Sequence, residues 1–172
     1  MSELFDRVTG DQDPFKRIAS KIPGFDGYIE RQNRRAADKL LREQIADKYS
    51  ILRKRVSDLM QDLANEGEIS LLDDLEKAAS KLQTFIDKVE NASYGYSGFF
   101  DAVKINEEEL TKLYQFDLAL IEGADEIGRA IDNVEASIGT DGLPAAVRHL
   151  VSLTRELVVL FDSREEVITS GE

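Results

Sequence analysis

The sequence predicts an all-α protein: an elongated antiparallel (up-down-up-down) four-helix bundle of two long helical hairpins, preceded by a short N-terminal amphipathic helix. Three observations carry this. Apolar residues recur at alternating steps of three and four through every long segment. Period-two alternation is missing over any useful length. The Pro and Gly residues, three and eleven in 172, fall mostly between the periodic segments rather than inside them.

Taken in order, residues 1–24 read as an N-terminal segment and 25–172 as the bundle. Asp13-Pro14 starts a helix, because Asp can cap and Pro at the first helical position gives up a donor that is orphaned anyway. The helix carries Phe15, Ile18, Ala19 and Ile22 on one face. Ile22-Pro23-Gly24 ends it, since Pro disfavours helix at the residue before it. The first long helix is expected from Asp26, its cap, to Asn65, with Ile45, Tyr49, Leu52, Val56, Leu59 and Leu63 in heptad rhythm. Gly67 suits the left-handed position past a helix end, and Ser70 with Asp73 resembles a capping box. Leu72, Leu75, Ala79, Leu82, Phe85 or Ile86 and Val89 mark the second helix, and the short turn between the two makes a hairpin.

Residues 91–105 lose helical periodicity and gather Tyr94, Tyr96, Phe99 and Phe100. Asn106 before Glu107, Glu108 and Glu109 restarts a helix, as a cap followed by acids that suit the positive end of the dipole. The third long helix carries Leu110, Leu113, Asp117, Leu120, Ala124, Ile127, Ile131, Val134 and Ile138, so one core slot holds an Asp. After the Gly139–Gly142 turn, the last helix carries Leu143, Val147, Leu150, Leu157 and Phe161, a face that Val151, Val158 and Leu160 broaden. A broad face suits packing against more than one neighbour. A first helix of about 40 residues would span roughly 60 Å against roughly 33 Å for the second. The polar stretch Glu30 to Lys39 is therefore expected to be thinly covered or to project.

Composition narrows function mainly by exclusion. The net charge is −12, which argues against general affinity for nucleic acid. The charge is divided: the first 60 residues hold thirteen Lys and Arg against ten Asp and Glu, the rest nine against twenty-four. The sharper meaning of that division is that the basic part meets the acidic part, within one chain or between two. There is no Cys, the opening residues lack the layout of a secretion signal, and no apolar run reaches membrane-spanning length, so a cytoplasmic protein is expected. His149 is the sole His, too few for the usual zinc and di-iron sites, and no phosphate-cradling Gly motif is present. No catalytic, cofactor or metal site is expected.

Three features remain as candidates. Arg31, Arg34, Arg35, Lys39 and Arg42 recur at helical steps and form a basic stripe for an acidic helix, anionic lipid or phosphate. Tyr94, Tyr96, Phe99 and Phe100 form either a plug at one bundle end or an adaptable contact surface. Asp117, in a turn that is apolar almost all round, is expected to be buried and paired with an Arg, Lys or Tyr of another helix. The reading is a non-enzymatic scaffold or interaction protein that works through helix faces and self-associates, its partner a protein or a second copy. The alternatives are a peripheral membrane or stress-response factor using the helix at 15–22 and the basic stripe, and a ligand-binding bundle or enzyme.

Overall fold

The computed structural model describes residues 3–8, 13–92 and 107–169, and no strand occurs among them. The helices are α1 (Glu3–Asp6), α2 (Pro14–Lys21), α3 (Arg34–Asn65), α4 (Leu72–Asn91), α5 (Glu107–Ser137) and α6 (Leu143–Thr169), with 3-10 turns at Arg31–Asn33 and Ile69–Leu71. Both α3 and α6 pack against α4 and α5. Helix α2 lies on α5, and α1 on α5 and α6. The apolar rhythm explains these contacts: Ile45, Tyr49, Leu52, Val56, Leu59 and Leu63 of α3 are all buried, as are Leu75, Leu82, Phe85 and Val89 of α4.

Leu4, Phe5, Val8, Ile18 and Ile22 belong to the same buried cluster as the long helices. Asp13 caps α2 by accepting from the Lys16 amide, with Pro14 at the first helical position.

Three expectations change. The first long helix begins at Arg34, not after Asp26. Gly24 and Gly27 take φ of +85° and +81°, left-handed values that interrupt a helix. They turn the chain so that Phe25 and Tyr28 enter the core. The stretch Glu30 to Lys39 does not project as a bare spur, because Arg34, Ala37 and Asp38 are buried. Helix α4 starts at Leu72 behind a 3-10 turn and has no side-chain cap, so Ser70 does not act as one. At 32 residues, α3 is about 48 Å long, against about 30 Å for α4.

Two glycines separate backbone conformation from crowding. A Cβ at Gly27 would stand 2.5 Å from the Tyr114 hydroxyl and 2.9 Å from the Phe15 ring, whereas one at Gly67, with φ of +80°, would meet nothing within 4 Å. Gly67→Ala is therefore expected to cost about 1–2 kcal/mol, the left-handed term alone. Gly27→Ala should cost about 2–4 kcal/mol, because crowding adds to it. Urea denaturation of the two variants measures the difference.

Candidate functional site

Asp117 sits on α5 with no exposure. Its Oδ1 accepts from Arg164 Nε of α6 at 2.5 Å and its Oδ2 from the Tyr28 hydroxyl at 2.6 Å. Arg164, also fully buried, donates through Nη2 to Asp38 Oδ1 of α3 at 2.7 Å. Asp38 Oδ2 accepts from Arg42 Nε at 2.7 Å, and Arg42 Nη1 reaches the Val89 carbonyl at the end of α4 at 3.0 Å. Arg34 Nε donates to the Tyr28 carbonyl at 2.6 Å, and the Tyr28 amide donates to the Tyr114 hydroxyl at 2.9 Å.

Two carboxylates thus face two guanidiniums, a balanced set that makes burial tolerable. Among the described residues, no buried side-chain nitrogen or oxygen lacks a partner. Burial pushes the Asp117 carboxyl upward, and Arg164 and Tyr28 draw it part of the way back. Burial, reinforced by the Asp117 charge, holds the Tyr28 hydroxyl well above the usual phenol range. Burial does the same to Tyr49, whose hydroxyl donates to the Leu120 carbonyl at 2.5 Å.

The basic stripe of α3 does not form one surface. Arg42 is buried in the charge cluster and Arg34 against the Tyr28 carbonyl, while Arg35 and Lys39 are exposed and Lys39 pairs with Glu43. Helical steps place these cations on neighbouring turns, but Arg34 turns inward to the Tyr28 carbonyl and Arg42 to Asp38 and the Val89 carbonyl. The Arg31 side chain and Tyr94, Tyr96, Phe99 and Phe100 lie outside the described residues and side chains.

The divided charge of the chain meets itself. Arg7 reaches Glu126 at 2.5 Å, Arg17 contacts Glu122, and Lys21 lies 3.4 Å from Asp125, all on α5. Arg55 of α3 bonds Asp132 at 2.6 Å. The apolar face of α2 is likewise committed, with Ile18 and Ile22 at zero exposure. No described helix is long and apolar enough to cross a membrane. No cluster of three or more potential metal ligands occurs among the described residues.

Sequence reasoning missed two outward features. Ile51 on α3 and Val159 on α6 are 65% and 63% exposed. An open groove of about 640 Å³ beside Asp47 is lined by Lys39, Arg42, Glu43, Ala46, Asp47 and Glu90. Lys39 and Glu43 pair with each other and Arg42 with Asp38, so among the described residues its charges without an ion pair are Asp47 and Glu90.

Asp117→Ala should destabilise by about 3–5 kcal/mol by stranding Arg164, while Asp117→Leu with Arg164→Met should cost less; chemical denaturation reads both. Alkaline pH gives a second test. Tyr28 and Tyr49 stay protonated in the folded state above the pH near 10 at which the unfolded chain ionises. Their contribution is therefore complete below that pH and is lost as pH rises above it. Tyr49→Phe should flatten the fall in urea-derived stability between pH 10 and 11.

Comparison with protein-family models, curated proteins and solved structures finds no match to this chain.

Proposed function

We propose that this is a non-enzymatic helical interaction protein, an up-down-up-down bundle of α3, α4, α5 and α6 that self-associates through helix faces. The observation that carries the reading is the pair of large apolar side chains left on solvent-facing helix surfaces, Ile51 and Val159, each with charged residues one turn away. Isolated exposed apolar residues are common, but these two stand on long, well-packed helices where a contact needs little ordering of the backbone. The bundle topology is supported by the order of contacts along two of the helices. Tyr49 meets Leu120 while Arg55 meets Asp132, so α3 and α5 run the same way.

The rest of the charge distribution agrees with a docking role. Arg7, Arg17, Lys21 and Arg55 are engaged by acids within the chain. The surface left for a partner is therefore mixed in sign and patterned by helix, not a basic field aimed at nucleic acid or anionic lipid. Sedimentation velocity should show concentration-dependent dimers or larger species. They should weaken as salt shortens the Debye length from about 10 Å at 0.1 M to about 3 Å at 1 M. A chain that stays monomeric at every concentration and salt would remove the reading.

A further inference from the structure

Helices α3 and α6 each carry a second heptad row, turned away from the core. On α3 it is Leu40, Gln44, Asp47, Ile51, Lys54 and Asp58; on α6 it is Arg148, Ser152, Arg155, Val159, Asp162 and Glu166. Both rows run in steps of four, three, four, three and four, the spacing of a helix–helix seam. Leu40, Gln44 and Asp162 are half-buried and the other nine are exposed. Among the described residues Arg148, Arg155, Asp47 and Lys54 enter no ion pair, although the chain is rich in acid.

We infer that the α6 row of one copy docks in parallel on the α3 row of a second copy, an inference that rests on the self-association proposed above. With Val159 set level with Ile51, the same register brings Arg155 level with Asp47, Ser152 with Gln44, and Asp162, which already pairs with Lys88 of its own chain at 2.6 Å, with Lys54 as a second cation. The alignment gives one apolar pair, two opposite-charge pairs and one polar pair. Asp47 stands in the groove whose other charge without an ion pair, among the described residues, is Glu90, a natural receptor for a guanidinium. Arg148 falls level with Leu40, over which its methylene stem can lie. Asp58 and Glu166 are like-charged and mark the end of the contact.

Orientation follows from the same residues. In the antiparallel sense, with Ile51 kept on Val159, Arg155 would face Lys54 and Asp162 would face Asp47, two like-charge encounters. Within one molecule α4 and α5 each lie between α3 and α6, so the two rows sit on different sides. A copy therefore offers one row and accepts on the other, a head-to-tail contact that builds rings or open chains rather than a closed two-fold dimer.

The test is charge exchange in the full chain, followed by sedimentation velocity at low salt. Circular dichroism checks that each variant keeps its helix content, as exposed positions should allow. Arg155→Glu alone and Asp47→Arg alone should each weaken self-association at least about tenfold. An equimolar mixture of the two, or both changes in one chain, should recover it, because each Glu then meets an Arg. If the wild type associates but the single variants match it, or if the mixture fails to recover, the α3–α6 contact is overturned while self-association stands. A monomeric wild type at all concentrations overturns both.

Discussion

A guanidinium with no exposure is the hardest group in this molecule to accommodate, and Arg164 is that group. Moving such an ion out of water costs several kcal/mol even after relaxation, so it is tolerated only where its donors and its charge are both met. Here they are met by Asp117 from α5, Asp38 from α3 and, at 3.5 Å, the Tyr28 hydroxyl from the segment before α3. Asp38 in turn holds Arg42, which reaches back to the end of α4. An apolar core alone would accept the long helices in several neighbouring registers. A slip of one turn, about 5.4 Å, would strand two carboxylates and two guanidiniums at once.

How much of this was legible in the sequence depends on the residue. Asp117 stood out because it filled a slot between Leu113 and Leu120 in an otherwise apolar row. Arg164 gives the same signal. It falls three residues after Phe161 and seven after Leu157, in an inward row of α6 whose other members, Thr154 apart, are apolar. Two opposite charges in core slots of different helices would have suggested the pair. Asp38 carried the same mark, three residues before the buried Leu41. The late start of α3 was hidden for a different reason. Its polar first turns looked like helix by periodicity, while the interrupting signal within them was the single Gly27, a left-handed position where Tyr114 and Phe15, residues close only in the fold, also leave no room for a Cβ.

The charge division was legible as a number but not as a destination. A basic front and an acidic remainder suit either an internal closure or a partner. The choice rests on which cations lie within reach of α5, and that depends on where α1 and α2 dock. Apolar anchors settle the docking: Phe5 packs on Phe116 with ring centroids 4.7 Å apart, and Phe15 on Tyr114 at 5.5 Å. The ion pairs then add little each, since exposed pairs are worth about 0–1 kcal/mol. Their larger effect is to neutralise cations at the surface, leaving Arg148 and Arg155 of α6 as conspicuous ones on the acidic side of the sequence.

The Leu4 amide donates to the Glu156 carboxylate, groups 152 residues apart in the chain. Arg7, Arg17 and Lys21 likewise wait for acids more than 100 residues downstream. A ribosome delivers the front of this chain long before its docking surface exists, and Arg164, which closes the charge cluster, arrives later still. The α3–α4 hairpin has local contacts and can form early, whereas docking of the N-terminal helices belongs to the last steps of folding. Until then Leu4, Phe5, Ile18 and Ile22 have nothing of their own chain to cover them. The apolar front end therefore passes through an interval uncovered by its own chain, and the length of that interval is set by the distance in sequence to α5 and α6.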